Sequence, residues 1–92
     1  MPERTAVVAS RSGLHARPAA IFADAAAQLD VEVTIALSGA PEDEAMDAAS
    51  ILSLMTLGAA NGDTVVLRAE GHGADEALAS LVALLETDLD AQ

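Results

Sequence analysis

The residues with the most chemistry in this chain lie together, in Ser12-Gly13-Leu14-His15-Ala16-Arg17-Pro18. Histidine is a nucleophile near neutral pH, and the guanidinium of arginine has a fork of donors suited to phosphate oxygens. An alanine-rich run follows with helical spacing. Pro18 falls in its first turn, where a missing N–H costs little. His15 therefore sits at or just before a helix N-cap. The first N–H groups of a helix have no partner inside it, and the macrodipole places partial positive charge at the same end. The backbone N–H groups of Ala16 and Arg17, the Arg17 side chain and the His15 imidazole converge on one point. That is an anion site with a nucleophile inside it, and phosphoryl transfer through a phosphoramidate is its most economical use. The plainer alternative is a helix-capping histidine beside an unrelated arginine.

The elements that must position these residues follow from periodicity. Residues 4–9 read as a strand, and Ser12 and Gly13 form the turn into a helix over 16–29, whose buried stripe is Phe22, Ala25, Ala26 and Leu29. Residues 31–37 read as a second strand and 45–47 as a short third one. A helix over 51–57 is opened by Ser50 as N-cap and stopped by Gly58. A strand over 64–69 and a helix over 74–89 complete the order β-α-β-β-α-β-α. Four short strands and three helices with apolar stripes predict an α+β fold. It is an open-faced sandwich, a four-stranded antiparallel sheet with three helices on one face. Residues 1–92 are the length of one domain.

The short helix carries more apolar residues than one face buries. With Leu54 and Leu57 toward the sheet, Ile51, Leu52 and Met55 form an exposed cluster suited to docking. The alternative is a helix buried on both sides. A formal charge of −11, with four arginines and no lysine, excludes nucleic acid and anionic lipid as partners. Without cysteine, and with only His15 and His72 as histidines, neither a disulfide nor a zinc site is expected. No apolar run reaches membrane length and no secretory leader is evident, so a cytoplasmic monomer is the expectation. His72, in a glycine-flanked turn, reads as a solvated loop histidine.

Gly-Leu-His-Ala-Arg-Pro-Ala, residues 13–19, resembles the active-centre signature of the HPr family. These are the histidine-containing phosphocarriers of the bacterial phosphoenolpyruvate:sugar phosphotransferase system. Residues 48–58, Ala-Ala-Ser-Ile-Leu-Ser-Leu-Met-Thr-Leu-Gly, resemble the family's regulatory-serine and docking segment, so the resemblance spans nearly the whole chain. It implies His15 as the phosphoryl acceptor and Arg17 as its charge partner. It further implies Ala16 and Arg17 as backbone phosphate donors, with Ser12, Gly13 and Pro18 supporting the helix start. Ser50 becomes a regulatory serine, and Ile51, Leu52, Met55 and Thr56 a surface for Enzyme I and the sugar-specific IIA proteins. No metal or organic cofactor is implied, and the protein is a stoichiometric carrier rather than an enzyme. A regulatory paralogue of nitrogen-control or catabolite-control type is the alternative within the family. The chain departs from the pattern in lacking the lysines usual around the docking face. It also has a longer, more acidic loop over residues 39–47.

Overall fold

The computed structural model describes residues 2–89. Its elements are β1 (Glu3–Val7), α1 (Ala16–Ala27), β2 (Val33–Leu37), a 3-10 turn (Glu42–Glu44), β3 (Met46–Asp47), α2 (Ile51–Leu57), β4 (Thr64–Ala69) and α3 (Ala74–Leu85). The strands form one sheet in the order β1-β4-β2-β3, and every neighbouring pair is antiparallel. Register places Ala6 opposite Val65, and Leu67 opposite Ile35. These residues share one face because side chains alternate along a strand. With Phe22, Leu54, Leu78, Leu81 and Leu85 from the three helices they form a single core. The other face presents Thr5, Thr34 and Arg68, with the facing pair Ala36 and Val66 at its centre. Val7 on that face is exposed, an apolar exception on an otherwise small or polar surface.

β1 and β2 are shorter than the predicted 4–9 and 31–37 because their partners end. β1 stops at Val7, which faces Thr64, the first residue of β4. The N–H groups of Val8 and Ala9 turn instead to the carbonyls of Asp63 and Leu85. β2 begins at Val33, which faces Ala69, the last residue of β4, so Val31 has no strand to pair with. The helix predicted to reach residue 29 ends at Ala27, and the Leu29 N–H bonds the Ala26 carbonyl in a tightened last turn. The stripe of α1 is Ala19, Phe22, Ala23 and Ala26, with Ala25 and Leu29 only partly buried at its margin.

The last helix is also shorter than the 74–89 expected, ending at Leu85. The Thr87 hydroxyl donates to the Ala83 carbonyl at 2.9 Å, a local bond that competes with helix continuation. Leu89 is nonetheless fully buried, as its apolar spacing predicts, because the tail folds back onto the loop after β1. Its N–H donates to the buried Ser10 Oγ at 2.9 Å. One residue earlier in the tail, Asp88 meets the Arg11 Nε at 2.9 Å. The α2 and β4 boundaries agree with those read from the sequence.

Candidate functional site

The loop from Ser10 to His15 is fastened from three sides. Gly13 has φ +75°, and a Cβ there would lie 2.5 Å from the Ala59 carbonyl oxygen and 2.9 Å from the Ala60 Cα. Only glycine permits that approach. The contact is completed by the Leu14 N–H, which donates to the Ala59 carbonyl at 2.9 Å. The Leu14 side chain is buried beneath it. On the second side, the Asn61 amide nitrogen lies 3.1, 3.3 and 3.5 Å from the carbonyl oxygens of Ala9, Ser10 and Val8. The third side is the tail after α3, through Ser10 and Arg11. Ser12 lies exposed in the turn that the Gly13 N–H closes on the Ser10 carbonyl.

His15 emerges from this loop as the N-cap residue of α1, in extended conformation at φ −142°, ψ 154°. Its imidazole is exposed and makes no capping hydrogen bond. The plainer alternative, a histidine occupied as a cap, is therefore not what the structure holds. Ala16, the first residue of α1, has φ +50°, the one positive φ outside glycine among the described residues. For a residue with a Cβ this conformation costs roughly 1–2 kcal/mol. Arg17 is exposed and Pro18 buried. The hydrogen bonds among the described residues engage neither the Ala16 nor the Arg17 N–H, as expected for the first turn of a helix. An exposed imidazole, two unspent N–H donors, a dipole end and a guanidinium thus stand at one helix start. Arg11, the other arginine near His15 in sequence, is turned to Asp88.

Ser50 is the N-cap of α2, and its Oγ accepts the Ser53 N–H at 3.2 Å. Gly58 ends the helix in left-handed conformation. Leu54 is fully buried, while Ile51, Leu52 and Met55 are 46, 76 and 38% exposed, so the helix is not buried on both sides. Thr56 is exposed beside them. His72 is exposed in its turn. Among the described residues no helix is long and apolar enough to cross a membrane, and no three His, Cys, Asp or Glu side chains are grouped to hold a metal ion.

Sequence reasoning did not find Ser10, Ala59 or Asn61 as the residues that hold the histidine loop. Their partners lie dozens of residues away and leave no local pattern. Asn61 carried one signal, its place in an Asn-Gly turn, which explains the turn but not the side-chain bonds across to the loop. The positive φ at Ala16 had none, because alanine is not a residue that marks such a conformation.

A protein-family model described as "PTS HPr component phosphorylation site" matches residues 2–87. The chain is 43% identical over 91 residues to the phosphocarrier protein HPr of Streptomyces coelicolor, covering 98% of this chain and 94% of that protein. It is 35% identical over 88 residues to the HPr-like protein Crh of Halalkalibacterium halodurans, covering 96% of this chain and all of the relative. The crystal structure of HPr-C-His from Thermoanaerobacter tengcongensis superposes with a TM-score of 0.84 at 34% identity, covering 100% of this chain and 99% of that one.

Proposed function

Because this chain belongs to the HPr family of phosphotransferase-system phosphocarriers, we propose that it relays a phosphoryl group through His15, from phospho-Enzyme I to IIA proteins, in support of sugar uptake. The observation that carries this reading is the uncapped imidazole of His15 at the start of α1, beside the unspent N–H groups of Ala16 and Arg17. A ring nitrogen of His15, Nδ1 by family resemblance, attacks the phosphorus on the donor histidine. One N–P bond forms as the other breaks, and the bonding pair returns to the donor imidazole. The phosphoryl oxygens meet the two N–H groups and the Arg17 guanidinium, which balance charge as it moves. Ser12, Gly13 and Pro18 keep the helix start in place. The second transfer, to a IIA histidine, is the same step with donor and acceptor exchanged. The protein ends each cycle unphosphorylated, so it acts as a stoichiometric carrier, as a single cytoplasmic domain working as a monomer. The exposed apolar side of α2, with Ile51, Leu52, Met55 and Thr56, is its docking surface, and Ser50 is the point at which added charge regulates docking.

A regulatory HPr-like paralogue is the second reading, favoured by the likeness to Crh over 96% of this chain. The two readings part on one experiment. Radiolabelled phosphoenolpyruvate and Enzyme I are mixed with the wild type and with His15→Ala. The carrier reading expects acid-labile, alkali-stable label on the wild type that passes on to IIA, and none on the variant. Label on His15→Ala, or none on the wild type, overturns it.

A further inference from the structure

The surface around α2 combines an apolar patch with fixed negative charge. Three of the four exposed large apolar side chains among the described residues, Ile51, Leu52 and Met55, stand on this one short helix. Asp47, at the end of β3, holds its Oδ1 2.9 Å from the Ala49 N–H, so an exposed carboxylate is locked just before the helix begins. A second is locked on α1, where the Gln28 side-chain amide donates to Asp24 at 2.9 Å. Asp24 lies in one row with Ala20 and Ala27, at spacings of four and three residues along the helix. Ala27 lines a shallow groove with Met46, Asp47 and Ala49, so this row borders β3 and the residues that lead into α2.

Cations are scarce there. Arg11 is bound to Asp88, and Arg68 faces Glu3 across the open side of the sheet at 3.7 Å. Arg4 stands on β1, at the sheet edge opposite β3. Arg17 alone shares the exposed side of α1 with Asp24, seven residues or about 10 Å away along the axis. The face therefore runs from positive at His15 to negative beside the apolar patch.

We infer that this face fits a protein partner with an apolar recess edged by lysine or arginine opposite Asp24 and Asp47. A partner with an acidic edge, suited to a lysine-bearing carrier, would have to strip water from two carboxylates with nothing to meet them. The inference rests on the carrier reading, and Enzyme I of the same organism is the probe. Its KM for this protein is measured at low and at physiological salt for the wild type, Asp24→Lys and Leu52→Ala, with a thermal melt of each. Asp24→Lys is exposed and outside the phosphoryl site, so it should melt normally and keep kcat. Its KM should rise about threefold to tenfold, the size expected when an exposed charge pair becomes a repulsion. Added salt should raise KM for the wild type and lower it for Asp24→Lys. Leu52→Ala should raise KM at both salt levels. If the wild type is phosphorylated normally but Asp24→Lys leaves KM unchanged or lower, the basic partner edge is wrong while the carrier reading stands. If the wild type takes no phosphoryl group at all, the carrier reading fails and this inference falls with it.

Discussion

Substituting Gly13 by alanine should do more damage than any other single methyl group added to the histidine loop. Two costs add. The positive φ of +75° penalises any residue with a Cβ by roughly 1–2 kcal/mol. The new Cβ would also lie 2.5 Å from the Ala59 oxygen and 2.9 Å from the Ala60 Cα. Both are backbone atoms, so no rotamer change relieves the overlap and the two loops must separate. Separation loses the 2.9 Å bond from Leu14 to Ala59, worth about 0.5–1.5 kcal/mol net, and loosens the packing of a buried leucine. Together these come to about 2–3 kcal/mol, which for a domain of this size lowers the melting temperature by on the order of 10–20 °C. Gly39 is the control, because it has φ +89° with nothing within 4 Å of an added Cβ. Gly39→Ala should show the conformational cost alone, roughly half as large, and leave phosphotransfer intact. Gly13→Ala should also slow transfer, since His15 follows two residues later. Melts of the two variants by circular dichroism, with label-transfer rates alongside, make the comparison. Equal melting temperatures would show that the Ala59 contact yields without cost, and the account of a fastened loop would be wrong.

Two further outcomes are expected. Arg17→Ala should melt within a few degrees of the wild type, because the side chain is exposed. It should transfer on the order of a hundredfold more slowly, because a preorganised charge contact is lost; a large fall in melting temperature with normal transfer would assign the arginine to the fold. Ser50→Ala loses the bond to Ser53 and should destabilise α2 by about 1 kcal/mol. Ser50→Asp, itself a good cap with favourable charge at a helix start, should melt higher than Ser50→Ala yet transfer much more slowly, and equal transfer rates would leave Ser50 a simple cap.

Much of this architecture was legible where local chemistry decides it. Ser50 and Gly58 bracket α2 in the sequence, and the structure uses one as N-cap and the other as left-handed C-cap. The excess of apolar residues on that helix left two outcomes open, an exposed side or burial on both; the structure has the exposed side, with Leu54 fully buried and Leu57 packed against the core. The errors lie where pairing partners decide the outcome. Residues 8, 9 and 31 have strand-like neighbours, but β4 does not reach them. Leu89 has the spacing of a helix residue and the burial of a core residue. It is held there by Ser10, whose role nothing in its own neighbourhood reveals. The 39–47 loop resisted reading because its only paired residues are Met46 and Asp47, facing Ile35 and Thr34. Two residues are too few to make a period.

The same distinction explains why the histidine is where it is. Carbonyls of the loop before it are taken by Asn61, Gly62 and Gly13, and N–H groups of Val8, Ala9, Gly13 and Leu14 are taken by the carbonyls of Asp63, Leu85, Ser10 and Ala59. A loop whose backbone groups are so committed has little freedom to follow a side chain that moves. What remains uncommitted is the imidazole and the two N–H groups just past it, at the point where Ala16 is held at positive φ. An unfavourable backbone conformation persists only where the surroundings determine it more strongly than local preference does. Here the loop that leads into Ala16 is held by the Ala59 contact at Leu14 and by the tail after α3 at Ser10, elements far from His15 in sequence. Binding a phosphoryl group would give the free N–H groups the acceptors they lack. The ordering of that site has already been met by folding, so little of the binding energy is spent on arranging it.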